Sequence, residues 1–279
     1  MERNIPKCFL DVLITWYSNL LCRVRWDGYL TDWFEIKAGV RQGGVLSPDL
    51  YSIYVDCLIG ILQSSEIGCY VGGKFAASFF YADDMCVIAP SLKGLQKLLN
   101  LCGSYCEQWD ICLNAKKTKN MFFGKKINLE HRLLLDGKPI EWVKEWKYLG
   151  VVLKSGTRFG CSVVERVKSF YRAFNAILRI EGRSDDMVLL RLIETHCIPI
   201  LSYGSEIIHI ADRDERRSLR VAYNAVFRKL FGYRYFESVT NLQHQLGRKT
   251  WEELIHHRQI GFLGRARACP IDSLIRCFC

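Results

Sequence analysis

The sequence contains no uninterrupted apolar run of about 18 residues, which is the length that a membrane-spanning helix requires. The longest apolar segment, Met187 to Ile210, is broken by the polar or charged side chains of Arg191, Glu194, His196 and Glu206. The first residues, MERNIPKCFLDV, contain no clean apolar stretch of the kind found in a secretory signal. The sequence therefore predicts neither a signal peptide nor a membrane partner.

The chain also lacks internal repeats, low-complexity segments and the spacing of a zinc finger. Histidines and cysteines do gather near the C-terminus, at His256, His257, Cys269, Cys277 and Cys279. Their intervals match neither of the usual finger patterns, so we expect thiols at these positions and no structural zinc ion.

Cysteine, by contrast, is abundant, with 13 in 279 residues. Most of the cysteines, including Cys57, Cys102 and Cys106, occupy apolar positions of periodic segments. Free cysteine packs as a small hydrophobe, and disulfides are rare inside cells. We therefore expect reduced cysteines in the core of an intracellular protein, located in the nucleus or the cytoplasm.

The composition favours a globular chain with an anionic partner. Hydrophobic residues make up 49% of the sequence and charged residues 24%, which suits one or two domains with a sizeable core. The formal net charge is +10, and nucleic acid is the common partner of such a basic protein. A basic surface without a specialised partner is the alternative on composition alone.

Hydrophobic periodicity in the first half predicts helices at about 6–22 and 91–110, and a hairpin that turns at Asp27-Gly28. Ser47 and Pro48 fit the N-cap and the first position of another helix. One face of that helix is expected to be buried and consists of Leu50, Ile53, Tyr54, Cys57, Leu58, Ile61 and Leu62. The stretches CLNAKKTKNMFFG and WKYLGVVL each predict one short strand.

The pattern becomes helical after about residue 155. Helices are predicted from Val163 to Leu178, after Ser184, at 213–231 and after Thr250, where Glu253 completes a capping-box pattern. We place a domain boundary near KSGTRFG, which separates residues 1–154 from residues 155–279. The predicted fold class is α+β: helices on one face of an antiparallel sheet, followed by a mostly helical domain.

The stretch SFFYADDMCVIAP places two adjacent aspartates, Asp83 and Asp84, inside an otherwise apolar run. We interpret the run as a buried strand, a tight turn near Ala82-Asp83-Asp84, and a return strand. A buried, unpaired carboxylate is costly, so the aspartates need either an exposed turn or a bound cation. Mg²⁺ prefers oxygen ligands and usually shares one or two carboxylates with substrate phosphates. Both interpretations stay open on these residues alone.

Several motifs together resemble the reverse transcriptases of non-LTR (LINE-type) retrotransposons. Tyr81-Ala82-Asp83-Asp84 resembles their YxDD box, and AGVRQGGVLSPDLYSIYVDCL resembles their RQG turn and the helix after it. LNAKKTKNMFFG resembles their N-x-x-K-T segment, WKYLGVVL their primer grip, and IPILSYGSEI a piece of their thumb. The resemblance implies a partial polymerase palm at 1–154 and a thumb-like helical region at 155–279.

The resemblance also implies a catalytic site at Asp83 and Asp84 that holds two Mg²⁺ ions. Asp83 would be the direct metal ligand, and Asp84 a ligand or a structural neighbour. The ions would activate the 3′-hydroxyl of a DNA primer and stabilise the pyrophosphate that leaves the incoming dNTP, with RNA as the template. A solvated turn without a metal is the alternative for this pair.

Three further groups of residues receive roles from the resemblance. The nucleotide- and template-binding residues would be Arg41, Gln42 and Gly43 of the RQG turn and Lys117 near the triphosphate, and the primer grip would be Tyr148, Leu149 and Gly150. An ordinary glycine turn, a solvated basic loop and a plain strand start are the respective alternatives. The arginines of residues 213–231 either line the template–primer duplex through its phosphates or face solvent.

The sequence departs from the family at a further catalytic aspartate, which lies upstream of the RQG turn. The pattern F-x-D-F-x-x-A-F-D that carries it does not occur, and Asp11, Asp27 and Asp32 are not convincing substitutes. The fingers region is absent as well, since about 40 residues precede Arg41. We therefore expect this chain alone to be an incomplete and inactive polymerase, because two-metal catalysis needs its opposing carboxylate.

Two other functions are alternatives to a reverse transcriptase domain. The first is a non-catalytic, nucleic-acid-binding remnant of a retroelement, in which the basic thumb holds a duplex. The second is a palm-like nucleotidyl cyclase, which would act on free nucleotide without a primer. The thumb-like tail argues against the cyclase.

Overall fold

A computed structural model describes residues 4–37, 39–125, 132–182 and 184–270, and in this part of the chain helices alternate with short strands. The α+β fold class is thus confirmed. The chain divides into two compact units. One contains the residues up to Ser64 together with Phe79–Cys86, and the other contains Ser65–Ser78 together with the residues from Val87 onward.

The N-terminal elements are α1 (Lys7–Ser18), β1 (Leu21–Cys22), β2 (Arg25–Trp26), β3 (Tyr29–Leu30), β4 (Phe34–Glu35) and α2 (Ser47–Ser64). The strands β1 and β4, and inside them β2 and β3, pair antiparallel as one long hairpin. Its turn residues, Asp27 (φ 47°) and Gly28 (φ 84°), adopt the left-handed backbone of a two-residue hairpin turn. The predicted hairpin is therefore confirmed.

Helix α2 begins where expected, but its buried face differs from the prediction. Val55, Leu58 and Leu62 are buried, whereas Ile53, Tyr54, Cys57 and Ile61 are exposed. The helix is apolar around most of its circumference, so periodicity alone does not fix which side is buried. Ser47 is the first helical residue, and its hydroxyl donates to the Arg41 carbonyl oxygen rather than accepting from the helix as an N-cap would.

The middle of the chain contains the elements β5 (Tyr70–Val71), β6 (Lys74–Phe75), β7 (Ser78–Tyr81), β8 (Asp84–Val87), α3 (Leu92–Gln108), β9 (Lys119–Asn120), β10 (Leu134–Leu135), β11 (Lys138–Pro139), β12 (Glu141–Trp142), β13 (Glu145–Tyr148), β14 (Val151–Lys154) and β15 (Gly160–Ser162). Helix α3 confirms the predicted helix at 91–110. Ser91 caps it by accepting from the Gly94 N–H, and Leu98, Leu99, Cys102 and Cys106 form its buried face.

The strands do not assemble into one broad antiparallel sheet within the described residues. They form six two-stranded pairs and one three-stranded sheet, β13-β14-β15, and the β9–β12 pair is parallel. Most of these strands contain two residues, which is too few to present a wide face to a layer of helices. The segment WKYLGVVL, predicted as one strand, is a hairpin of β13 and β14.

The last third of the chain is helical: α4 (Val164–Glu181), α5 (Asp186–His196), α6 (Ile198–Ser202), a 3₁₀ helix (Ser205–Ile210), α7 (Arg213–Leu230), α8 (Thr240–Gln245) and α9 (Trp251–Ala268). Asp185 caps α5, and Thr250 with Glu253 forms the predicted capping box of α9. A continuous apolar core joins these helices and includes Phe170, Ile193 and Leu219, all fully buried. No helix in the described part of the chain is long and apolar enough to cross a membrane.

Candidate active site

The YADD box lies at the tip of the hairpin formed by β7 and β8. Phe79, Phe80 and Tyr81 favour strand, and the chain reverses at Ala82 and Asp83 before β8 starts at Asp84. Ala82 has a φ of 50°, a left-handed conformation that costs a non-glycine residue about 1–2 kcal/mol. The predicted turn is confirmed, and strain of this kind is often found at functional sites.

Both aspartates of this hairpin are exposed, and β7, expected to be a buried strand, is at most half-buried. Phe79 and Tyr81 are exposed as well, so only alternate residues of β7 turn toward the interior. The hairpin therefore avoids the desolvation cost of two carboxylates by keeping them in water. It also leaves their oxygens accessible to a cation or to a phosphate bound through one.

Two exposed carboxylates are a donor set that fits Mg²⁺, which completes its shell with water and substrate phosphates. In the described residues, no three His, Cys, Asp or Glu side chains lie close enough together to hold a metal ion. Asp83 and Asp84 therefore stand as a pair without a third such ligand there. Cys277 and Cys279, considered above for zinc, lie outside the described residues.

The RQG segment forms a compact turn directly before α2. The Arg41 carbonyl oxygen accepts from the Gly44 N–H at 3.0 Å and from the Ser47 hydroxyl at 2.6 Å. Gly43 has a φ of 77°, and a Cβ atom on Gly44 would lie 2.6 Å from the Ser47 oxygen. The glycines are thus needed for the turn itself, while the side chains of Arg41 and Gln42 remain exposed.

Lys117 lies in a turn that Asn114 organises. The Asn114 side-chain oxygen accepts from the N–H groups of Lys116 and Lys117, each at 3.1 Å, and its carbonyl oxygen accepts from Thr118. Lys117 is exposed at this turn. Sequence reasoning did not assign Asn114 a role, although the tendency of asparagine to hydrogen-bond the backbone two residues ahead is a usable signal.

Lys119 shows how one lysine of this segment differs from its neighbours. Its ammonium lies 2.6 Å from Glu141 Oε2 and 5.8 Å from the centre of the Trp146 ring. The side chains of Lys116 and Lys117 are exposed. Lys119 is therefore held against the protein by an ion pair and a ring contact. Between Lys117 and Lys119, Lys117 is the one whose ammonium is available to a ligand.

The segment with the primer-grip motif forms the turn between β13 and β14. Leu149 (φ 45°) and Gly150 (φ 78°) are the turn residues, and Tyr148 ends β13. The Leu149 carbonyl oxygen accepts from the Tyr203 hydroxyl at 2.8 Å. Sequence reasoning placed Tyr203 in a thumb-like segment but did not connect it with this turn, because the two are far apart in the chain.

Helix α7 confirms the predicted basic amphipathic helix. Leu219, Tyr223, Val226 and Phe227 form its buried stripe. The basic side lines a groove of about 860 Å³ with Arg213, Arg216, Arg217, Arg220, Trp251, Glu252 and His256 among its walls. Arg220 lies 3.4 Å from Glu252, so part of this positive charge is already compensated.

The structure distributes the predicted site residues between the two units. Arg41, Gln42, Gly43, Asp83 and Asp84 belong to the unit that contains α1 and α2. The other unit contains Lys117, the turn at Leu149 and the arginines of α7. Turns present the side chains of Gln42, Asp83 and Lys117 to solvent, whereas the arginines of α7 extend from a helix.

Comparison with known sequences gives a family match and several relatives. Residues 2–153 match the family described as reverse transcriptase (RNA-dependent DNA polymerase). The chain is 27% identical over 248 residues to the probable RNA-directed DNA polymerase from transposon BS of Drosophila melanogaster, covering 83% of this chain and 26% of that protein.

Two further relatives are also proteins of mobile elements. One is the RNA-directed DNA polymerase from mobile element jockey of Drosophila funebris, 27% identical over 276 residues, which are 90% of this chain and 30% of that protein. Another is the Pol polyprotein from retrotransposable element R2DM of Drosophila melanogaster, 30% identical over 171 residues, 58% of this chain and 16% of that protein. The chain thus spans less than a third of the length of these relatives.

Proposed function

This chain belongs to the reverse transcriptase (RNA-dependent DNA polymerase) family, as a domain of the non-LTR (LINE-type) kind, and we propose that it carries the YADD part of a catalytic site that extends a DNA primer along an RNA template, while the motif of the opposing carboxylate does not occur in this sequence. The observation that carries the proposal is the YADD hairpin, which lies inside the matched stretch and presents two carboxylates to solvent. Its substrates would be dNTPs, and it would act in the nucleus or the cytoplasm.

Asp83 and Asp84 are the residues that would hold the divalent cation of this family. When bound there, Mg²⁺ would neutralise phosphate charge and activate the primer hydroxyl. The protein's own contribution is the short turn at Ala82, which keeps the carboxylates exposed at a fixed place on a hairpin. Phosphate oxygens of the substrate would then supply the coordination positions that the pair leaves open.

The RQG turn and the Asn114 turn would bind the nucleotide and the template. Gly43 leaves open space for a ligand beside Arg41 and Gln42, since no atom beyond its chain neighbours lies within 4 Å of the place where its Cβ would be. Lys117 would place its ammonium near the triphosphate, because the two hydrogen bonds to the Asn114 side chain fix the backbone that carries it. These roles rest on the resemblance of the motifs and on the exposure of the side chains at these turns.

The palm and thumb assignments belong to the same proposal. Residues 1–154 would be the palm part and residues 155–279 the thumb-like part, as the order of motifs indicates. The sheet β13-β14-β15 extends from Glu145 to Ser162 and crosses this division. A primer grip on this sheet would therefore be supported by both parts.

A second candidate function is duplex binding without chemistry, and the groove beside α7 favours it. Four arginines line that groove, and guanidinium groups bind phosphate oxygens well. Such binding would not depend on base sequence and would weaken steeply as salt rises, because phosphate contacts release condensed counterions. It requires neither Asp83 nor Asp84.

Primer extension with Mg²⁺ on an RNA template and a DNA primer tests the proposal. Incorporation by this chain is expected to be low without the opposing carboxylate, and any incorporation that occurs should disappear in Asp83→Asn, because a catalytic charged group is removed. Asp27→Asn is the matched control, because it makes the same change in another two-residue hairpin turn of this unit. Asparagine tolerates the φ of 47° at that turn, so incorporation should persist.

The outcomes separate the two functions. Incorporation that is lost in Asp83→Asn and kept in Asp27→Asn supports the polymerase. Binding of the duplex by the unchanged protein without any incorporation supports the binding function instead. A protein that neither binds nor extends the primer overturns both.

A further inference from the structure

Tyr203 holds the turn between β13 and β14 at two points. Its hydroxyl donates to the Leu149 carbonyl oxygen at 2.8 Å. Its ring lies against the next residue, since a Cβ atom on Gly150 would be 2.9 Å from Tyr203 Cε1 and 3.4 Å from Cζ. The ring therefore fills the space that the missing side chain of Gly150 leaves, and the hydroxyl holds the carbonyl just before it.

Gly204, the residue after Tyr203, packs against the same β13–β14 hairpin. Gly204 has a φ of 60°, and a Cβ atom on it would lie 3.4 Å from Cγ2 of Val151 and 3.7 Å from Nη2 of Arg166. Burial lowers the pKa of the Arg166 guanidinium, near which Tyr203 and Glu206 lie. The turn at Tyr203-Gly204 is thus packed against both β14 and α4.

Packing in the hydrophobic core does not explain why a tyrosine occupies position 203. Its side chain is 51% exposed, whereas Tyr223, which donates to the Lys249 carbonyl oxygen at 2.7 Å, is 6% exposed and lies within the helical core. The two tyrosines make the same kind of bond, from a hydroxyl to a distant backbone carbonyl. At Tyr203 the bond fixes an exposed hairpin tip rather than two buried helices.

Building on the proposed function, we infer that Tyr203 is a positioning residue that holds the primer-grip turn and thereby fixes the 3′ end of the primer. The ladder of β13 and β14 fixes the stem of this hairpin, up to the pair Tyr148 and Val151. Tyr203 fixes its tip from outside the sheet. A primer end resting on Leu149 and Gly150 would thus be placed by a residue of the thumb-like part.

Photocrosslinking from the primer terminus tests this inference. The full chain is bound to an RNA template whose DNA primer carries 4-thiothymidine at its 3′ end, and the crosslinked peptide is mapped. The unchanged protein should crosslink at Tyr148–Gly150. Tyr203→Phe keeps the ring over Gly150 but removes the hydroxyl, and should lower that yield by about fivefold, the factor of one ordinary hydrogen bond.

Duplex affinity and a second tyrosine provide the controls. The affinity of Tyr203→Phe for the duplex should stay within about twofold, because a single neutral hydroxyl away from the phosphates adds little to electrostatic binding. Tyr223→Phe removes a bond of the same type from the core and should leave the crosslink yield unchanged. Gly150→Ala would place a methyl group against the ring at a φ of 78°, so it disturbs the turn itself and should lower the yield at least as much as Tyr203→Phe.

Each outcome decides one point. Equal crosslink yields in Tyr203→Phe and the unchanged protein overturn the role of Tyr203, as does an equal loss in Tyr223→Phe. If the unchanged protein binds the duplex but crosslinks at other residues, Tyr148–Gly150 do not form the primer grip. The role inferred for Tyr203 is then overturned as well. A chain that binds no duplex overturns the proposed function itself. If Tyr203→Phe does not fold, as judged by circular dichroism, the decision rests on Tyr203→His, which keeps an aromatic ring at this half-exposed position but shortens its reach toward the Leu149 carbonyl oxygen.

Discussion

The N-terminal segment from α1 to β4 and the helical region from α4 to α9 are both rich in apolar residues, yet they use them differently. Helix α1 has no buried residue, and Trp26 and Tyr29 of the hairpin are 80% and 81% exposed. In the helical region, Phe170, Ile193 and Leu219 are fully buried in one core. Local sequence signals are therefore sufficient to specify helices and turns, but they do not determine whether those elements are buried.

The reason lies in how the apolar residues are arranged around each element. Helix α7 separates a basic side from an apolar stripe, so one orientation toward the core is strongly preferred. Helix α1 exposes Val12 and Ile14, at 63% and 64%, although its backbone is regular. The two regions should then differ most in properties that depend on burial and least in those that depend on backbone capping.

Thiol reactivity should show the largest difference. Cys197, fully buried in the helical core, should react with iodoacetamide at least about a thousandfold more slowly than exposed Cys8 on α1. Alkylation of Cys197 requires both that the core opens and that the thiol loses its proton. Burial raises the pKa of the Cys197 thiol to about 11. Alkylation at pH 8 followed by peptide mass spectrometry measures both rates, and equal rates would contradict the comparison.

Alkali should weaken the helical core for the same reason. Burial raises the pKa of Cys197 from 9.0 to about 11 and, as the main cause, that of Tyr223 from 10.0 to about 12. A raised folded-state pKa means that the folded state holds its proton more tightly. The contribution of these two protonated groups to the free energy of unfolding is fully present below pH 9 and is lost as the pH rises through 11 to 12. Urea midpoints between pH 8 and 11 should therefore fall, and a flat profile would contradict the burial of these groups.

Truncation of one isoleucine in each region should show the next largest difference. Ile193→Ala on α5 removes a fully buried side chain and should lower the free energy of unfolding by about 2–5 kcal/mol. Ile14→Ala on α1 should change it by no more than about 0.5 kcal/mol, because the side chain is 64% exposed and alanine favours helix. Urea unfolding followed by circular dichroism compares the two, and a similar loss in both variants would show that α1 is packed.

Elements with strong local signals were predicted well from the sequence. The Asp27-Gly28 hairpin, the turn at Ala82, the helix after Ser91 and the capping box at Thr250 all occur where expected. All but the turn at Ala82 depend on a residue type that the backbone conformation favours, such as glycine at positive φ or a hydroxyl at an N-cap, and the Ala82 turn was located by the polar pair between two apolar runs. Such signals act over a few residues and do not need the rest of the chain.

Features set by contacts between distant residues were predicted poorly. The buried face of α2 was misassigned, since most of its sides are apolar and only tertiary packing selects one. Cys57 was expected in the core and is exposed. The contact of Tyr203 with Leu149 joins residues 54 positions apart, and no local pattern encodes it. For the candidate site, the motifs located the residues but did not give their hydrogen-bond partners.

An ion pair that joins β14 to helix α7 of the helical region should contribute more than a charge contact in the N-terminal segment. Glu215 binds the Lys154 ammonium and also accepts from the Val163 N–H at 3.1 Å, and its side chain is only 11% exposed. The hydrogen bond from Lys154 raises the pKa of that ammonium. Glu215→Gln should cost about 1.5–3 kcal/mol of unfolding free energy, the range for a hydrogen bond to a charged group.

The contact to compare with it is Arg23 over the ring of Trp33, at 4.6 Å to the centroid. Both residues are exposed, so Arg23→Gln should cost at most about 0.5–1 kcal/mol. Urea unfolding of the two variants at low and high salt measures the difference. A larger loss for Arg23→Gln would mean that the N-terminal contact is shielded from water.

Helix capping should give the smallest effect and thus the most sensitive comparison. The Thr250 hydroxyl accepts from the Glu253 N–H at 3.3 Å, and the Glu253 carboxylate accepts from the Thr250 N–H at 2.8 Å. Thr250→Ala removes the cap and should lower the free energy of unfolding by about 1 kcal/mol. Thermal unfolding of the helical signal measures this loss.

Thr15→Ala on α1 is the matched control for that loss. Its hydroxyl donates to the Asp11 carbonyl oxygen at 2.8 Å, one turn back in the same helix, where it satisfies no unpaired N–H group. The substitution should therefore change stability by less than about 0.5 kcal/mol. If Thr15→Ala cost as much as Thr250→Ala, the threonine methyl groups rather than the cap would explain both losses. In that case even the difference in stability between these two threonine variants would depend on side-chain packing and not on helix capping.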